Sequence, residues 1–326
     1  MVMLRKKRVV GAAIELTTGT KVAIGTFVDA DSAENIFNSE IQPGIDFIPR
    51  PGQGSFSQLP GVTGLEKGTV TFSTEVYGAN TALPFWAQVL LPACGYVSAQ
   101  TVTPWTFKPS SSGPVDGADY SEVRTITLVV YEDGDYKMLH GCMGTWKLRL
   151  TSGRVAMIEW TFSGTWNTPG TATIPTPNYP IFIPAKFMAT SFLIGGSAPV
   201  SCIEAIEIDA GNSVTVRTCA DQAGGVEGAV VVDRKVMITM NPESVPQATE
   251  AWYADWLAGT EVTGLSVPLT DTNNTITFTA GRIQRTNVQE GDREGIQIDN
   301  ITWQANKVDQ DGAGDDELQI VFAVTP

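Results

Sequence analysis

Residues 64–78 read GLEKGTVTFSTEVYG, and residues 228–243 read GAVVVDRKVMITMNPE. In the first stretch Val70, Phe72, Thr74 and Val76 share one face, while Thr69, Thr71, Ser73 and Glu75 share the other. In the second, Val236, Ile238 and Met240 alternate with Lys235, Met237 and Thr239. Apolar residues at every second position mark a half-buried β-strand. Each stretch opens on a charged, glycine-containing lead-in and stops on polar residues. Two such segments in one chain point to a mostly-β unit used twice.

The surroundings of the two strands correspond in order. EIQPGIDFIPRPG (40–52) and a glycine-rich loop with LPG (59–61) precede the first; EIDAGNSVTVRTC (207–219) and a loop with AGG (223–225) precede the second. Each strand is followed by an aromatic-bearing stretch that predicts a short helix. The first is TALPFWAQVLLPACG (81–95), with Phe85, Trp86, Val89 and Leu90 at helical spacing; the second is ATEAWYADWLAG (248–259), with Trp252, Tyr253, Trp256 and Leu257. Both end in glycine, the residue that most easily closes a helix.

Hairpins follow. Asp133-Gly134, within TITLVVYEDGDYKMLHG (125–141), predicts a tight type I′ turn. In GCMGTWKLRLTSGRVAMIEWTFSG (141–164) a three-residue loop, Thr151 to Gly153, sets Leu148 opposite Ala156 and Trp146 opposite Ile158. That register gathers Trp146, Leu148, Ala156, Ile158, Trp160 and Phe162 on one face, whereas a two-residue turn would mix the faces. The counterpart, GRIQRTNVQEGDREGIQIDNITWQA (281–305), is expected to carry a longer tip, with Ile301 and Trp303 standing where Trp160 and Phe162 stand. Between the halves, GTWNTPGTATIPTPNYPIFIP (164–184) holds five prolines and no charged residue, as an extended linker would. The expected organisation is a first unit at 1–166, a Pro-rich linker at 167–184 and a similar second unit at 185–326. The fold class is mainly β, sandwich- or barrel-like, with one short flanking helix per unit.

Bulk properties agree. A chain of 326 residues can bury a sizeable core, and its 32 glycines and 19 prolines favour many short strands over long helices. With 35 acidic against 21 basic side chains, the net charge of −14 disfavours a nucleic-acid-gripping surface. An acidic wall past which DNA slides is compatible with the same charge, and so is plain solubility. The apolar run from Val9 to Ile14 is too short for a signal-peptide core or a membrane span, so no membrane is expected. Cys94, Cys142, Cys202 and Cys219 show no C-x-x-C spacing and read as reduced thiols.

Catalytic and metal chemistry is not nominated. His140 is the only histidine, which excludes histidine triads and multi-histidine metal sites, and alternation places it in a strand. DQDGAGDDE (309–317) resembles an acidic calcium loop but fails its spacing, and reads instead as a hairpin tip between 303–308 and 318–324. GGVEG (224–228) does not join a strand to a helix as a phosphate cradle must. Paired carboxylates such as Asp315 and Asp316 fall in turns, and the aromatic residues read as core. No cofactor, metal or catalytic residue is expected, and the chain reads as structural.

LPGVTGLEKGTVTFSTEVYG (59–78), LPFWAQVLLPACGY (83–96) and TITLVVYEDGDYKMLHGCMGTWKLRLTSGRVAMIEWTFSGTW (125–166) together resemble the tail tube protein of long-tailed, non-contractile bacteriophages. The shared pattern is a long loop ending in a glycine-rich strand start, a helix finishing near Cys-Gly, a YEDG hairpin and a closing strand ending in aromatic-Ser/Thr-Gly. It covers roughly residues 1–166; the YEDG turn has no counterpart in the second half, where SVPLTDTNNTITFTAG stands instead.

The resemblance implies a self-assembling subunit of stacked rings, whose inner sheets close into a barrel around a lumen through which DNA passes non-specifically. It implies a virion tail component assembled in the bacterial host cytoplasm, with tape-measure, tail terminator and distal tail proteins as partners. Candidate lumen-facing residues are Thr71, Ser73, Glu75, Glu159 and Thr161 in the first half and Thr239, Thr302 and Gln304 in the second. The long segment 40–66, rich in proline and without regular pattern, reads as a loop, and the equivalent loop in the family reaches the neighbouring ring. Family rings use six sheet units, so a duplicated chain implies a trimeric, pseudo-hexameric ring; a hexamer with the second half projecting outward is the alternative. Two other readings stand beside this one: another virion component on a related fold, such as a tail terminator or decoration protein, and a carbohydrate-binding or hydrolytic β-protein.

Overall fold

The computed structural model describes residues 8–27, 36–79, 82–177, 183–188, 190–271, 274–309, 312 and 314–324. Its first half begins with strands β1 (Arg8–Ile14), β2 (Ile36–Pro51) and β3 (Gln58–Glu75). A π-helical turn at Trp86–Leu90 runs into the single turn α1 (Leu91–Ala93), followed by β4 (Tyr96–Val97), β5 (Trp105–Pro109), β6 (Ile126–Glu132), β7 (Asp135–Thr151) and β8 (Met157–Thr171). The second half carries β9 (Leu193–Ile194), β10 (Ile203–Asp209), β11 (Asn212–Thr218), β12 (Val226–Arg234) and β13 (Met237–Pro242). Then come α2 (Trp252–Ala258), β14 (Glu261–Thr270), β15 (Asn274–Arg293), β16 (Ile296–Asn306) and β17 (Gln319–Val324). The chain is mainly β, as its alternation predicts. β11 and β12 form a two-stranded sheet, and the other strands belong to one fifteen-stranded sheet.

Pairing is antiparallel throughout and follows the same sequence in the two halves. In the first the neighbours run β1-β6-β7-β8-β3-β2. In the second they run β9-β14-β15-β16-β13-β10. The halves join where β10 also pairs with β7, Glu207 opposite Arg149 and Ile208 opposite Leu148. The helical segments occupy the same place in both orders and pack on the same face of the sheet. Trp86 lies 6.4 Å from Trp160, and Trp252 stands edge-on to Trp303 at 6.5 Å. Gly95 and Gly259 close the helical segments with φ of 75° and 64°.

One core runs through both halves. Its apolar alternates are Phe72, Trp146, Trp160 and Phe162 on one side and Ile238, Met240, Ile301 and Trp303 on the other, all buried. Cross-half contacts tie it together: Trp146 meets Phe278 at 6.2 Å, and Phe107 meets Phe322 at 5.7 Å. β17 adds a second tie by pairing with both β15 and β5.

Several expectations are corrected in detail. The segment 40–66 is not a patternless loop: β2 and β3 continue as a paired, bulged hairpin out to Pro51 and Gln58. Its prolines hid the strands, since an edge position needs no N–H on its open side. The β7–β8 register sets Leu148 opposite Ile158 and Trp146 opposite Trp160, two residues from the expected pairing. A two-residue displacement preserves the faces, so the core list stands. It arises because Val155 leaves the hairpin to bridge Lys186, and Ala156 donates its N–H to the Ala185 carbonyl while its own carbonyl accepts from the Val76 N–H.

β8 also continues to Thr171, five residues into the stretch read as linker. The 281–305 hairpin has a tight tip rather than a long one, because Glu294 and Gly295 both take positive φ, 52° and 88°, like Asp133 and Gly134 in the first half. Finally, 303–308 and 318–324 do not form a hairpin. β16 and β17 follow one another along β15, each pairing with it, and the acidic run is an excursion between them. Arg234 explains that excursion in part, through bonds to Asp315 (3.0 Å) and Glu317 (2.6 Å).

Candidate functional site

The eight polar residues singled out by alternation are brought onto one face of the sheet, opposite the core. Cross-strand pairing shows this directly, because residues paired across a ladder point to the same side. One row reads Ser73, Glu159, Lys147, Asp209, Met237, Gln304 and Gln284. The next reads Glu75, Met157, Arg149, Glu207, Thr239, Thr302 and Asn287. A third, shorter row holds Glu40, Thr71, Thr161 and Thr145. The rows cross from the first half to the second without interruption at the β7–β10 junction.

At that junction the face carries an ion cluster that the candidate residues only partly covered. Lys147 contacts Glu207 at 3.0 Å and Asp209 at 3.1 Å; Arg149 contacts Glu159 at 3.0 Å and Glu207 at 3.6 Å. Burial depresses the Lys147 pKa, but the hydrogen bonds and attraction of Glu207 and Asp209 outweigh it and leave the ammonium raised above its ordinary value. All these groups are partly solvated, so each pair adds little to stability; together they neutralise both cations of the rows. Glu40, Glu75, Glu159, Glu207 and Asp209 against Lys147 and Arg149 leave the face acidic. Lys147 and Arg149 were legible in KLRL (147–150), as the alternates of the apolar Trp146 and Leu148 already assigned to the core.

The aromatic groups that could serve as sugar platforms lie behind this face. Trp86, Trp146, Trp160 and Trp303 are each no more than 1% exposed. His140 lies in β7, where its Nδ1 accepts from the Asn167 amide at 2.7 Å. Burial and the nearby Lys21 charge push its pKa down to about 4, which keeps it neutral. Glu15, 1% exposed, accepts from the hydroxyls of Thr125 and Thr127 and the backbone N–H groups of Gly19 and Gly141. It fastens β1 to β6 and β7, a structural task. No described helix is long and apolar enough to cross a membrane.

A contrasting surface is the outer part of the β2–β3 hairpin. Ile45, Phe47, Ile48, Phe56, Leu59 and Val62 are exposed there, Phe56 completely. The corresponding excursion of the second half, β11–β12, is instead laid against the first half. Asn212 donates from Nδ2 to the carbonyls of Cys94 (2.8 Å) and Gly144 (2.9 Å). Gly141 and Gly228 meet so closely that a Cβ on Gly141 would lie 2.8 Å from the Gly228 Cα.

No curated protein matches the chain in sequence. The profile of a family described as phage tail tube protein matches residues 6–305, nearly the whole chain and both halves of the sheet. The chain therefore belongs to the phage tail tube protein family, a family of structural components of the virion tail.

Proposed function

We propose that this chain is the repeating subunit of a tail tube, and that it assembles into stacked rings around a lumen through which DNA passes during ejection. The observation that carries this reading is the unbroken polar face, acidic in balance and backed by a single core, that spans both halves. Thr71, Ser73, Glu75, Glu159, Thr161, Thr239, Thr302 and Gln304 line the lumen in this reading, with Lys147 and Arg149 beside them. Both cations are occupied by carboxylates, so a phosphate backbone meets a wall that repels it weakly and holds it nowhere. Function is structural, not enzymatic.

The repeated strand order supports a tandem duplication, with each half supplying one sheet unit. Three chains then close a ring of pseudo-sixfold symmetry, because the second half continues the sheet of the first instead of standing away from it. The exposed β2–β3 arm reaches the neighbouring ring, where its apolar residues leave water. Tape-measure, terminator and distal tail proteins meet the tube in the virion, and assembly takes place in the host cytoplasm.

Negative-stain imaging of the purified protein tests the reading. Long hollow tubes are expected; isolated single rings would favour a terminator-like role, and a protein that stays monomeric at high concentration would count against both.

A further inference from the structure

Several strand edges are open among the described residues, and for two of them the fold supplies a template for joining. β10 is hydrogen-bonded on both sides, to β13 and β7, whereas β2, its counterpart in the strand order, pairs only with β3 among the described residues. β7 carries β6 along its first part and β10 along its last, on the same edge. Its counterpart β15 carries β14 only up to Gln284, and on that edge residues 286–293 have no described partner. Unpaired edges of this kind recruit further strands.

We infer that the open edge of β2 in one copy pairs antiparallel with residues 289–293 of β15 in the next copy, in the register that β10 and β7 use within the chain. This rests on the ring reading above. The register follows from cross-strand equivalences. Glu40 faces Thr71 as Glu207 faces Thr239, and Ile41 faces Val70 as Ile208 faces Ile238. On the other side, Val288 faces Ile301 as Trp146 faces Trp160. Asp209 opposite Lys147 therefore becomes Gln42 opposite Gln289, and Ile208 opposite Leu148 becomes Ile41 opposite Glu290.

The two junctions differ in chemistry. Inside the chain Ala210 donates its N–H to the Trp146 carbonyl, but Pro43, at the equivalent place, has no N–H, so the outer ladder stops at Gln42. Gln289 and Gly291 replace Lys147 and Arg149, so the outer junction also lacks the ion cluster. It is the weaker of the two, as suits a contact made only on assembly.

Disulfide trapping in the full chain tests the register. Gln42→Cys and Gln289→Cys are combined with Cys202→Ser and Cys219→Ser, which remove the two cysteines that are not buried. Tubes are confirmed by microscopy before oxidation. The expected result is a covalent ladder on non-reducing gels that ends at three chains, absent from either single variant. A control pairing Gln42→Cys with Glu290→Cys, on opposite faces of the pleat, gives no ladder. Tubes that form without cross-links, or that cross-link equally in the control, overturn the junction and leave the tube reading standing. If the wild-type protein forms neither rings nor tubes, both fall.

Discussion

Replacing Phe56 by Ala isolates the role of the β2–β3 arm. The Phe56 ring is fully exposed in the single chain, so its removal leaves the folding stability of the subunit unchanged. If the ring is buried between stacked copies, its transfer from water contributes up to about 3 kcal/mol per contact. At about 1.4 kcal/mol per tenfold, the critical concentration for tube formation rises by up to roughly a hundredfold. Pelleting of tubes over a dilution series reads that concentration, and thermal unfolding of the unassembled protein serves as the control. An unchanged critical concentration would refute the reasoning. So would a lowered unfolding temperature of the monomer, since the ring would then be packing within its own chain.

Two further predictions follow from charged groups. His140 is depressed from 6.5 to about 4 by burial and the Lys21 charge. The folded chain thus binds fewer protons than the unfolded one between these values, so this stabilisation is complete above pH 6.5 and fades as pH falls toward 4. The loss is roughly 3 kcal/mol, and His140→Asn, which keeps an acceptor for Asn167, should flatten that part of the pH profile in urea unfolding; an unaltered slope would locate the titration elsewhere. Glu75→Lys combined with Glu159→Lys should leave rings intact while slowing DNA ejection in a salt-sensitive way, because lysines on the polar face hold phosphate. Normal, salt-independent ejection from complemented virions would place the face outside the lumen.

Much of the architecture was legible because it depends on period-two alternation and turn chemistry. VTFSTEV and KVMITM name their buried faces outright, and Asp133-Gly134 takes the positive φ values that its turn type demands. The polar face was legible for the same reason, as the complement of the core. What escaped reading depends on partners remote in sequence. Ala185 and Lys186, which draw Val155 and Ala156 out of the β7–β8 hairpin, lie about 30 residues further on, so the register was two residues off. Pro43, Pro49 and Pro51 disguised an edge hairpin as a loop, since proline opposes a central strand but not an edge. Asp315 and Glu317 of the acidic run are held by Arg234, which no local pattern connects to them.

The central claim is that each chain supplies two sheet units to one barrel. Cryo-electron microscopy of assembled tubes tests it by the number of chains in each ring. The account predicts three, with Thr71, Ser73, Glu75, Glu159 and Thr161 of the first half and Thr239, Thr302 and Gln304 of the second facing the same channel. Six copies per ring, with residues 185–326 outside the channel, would contradict it.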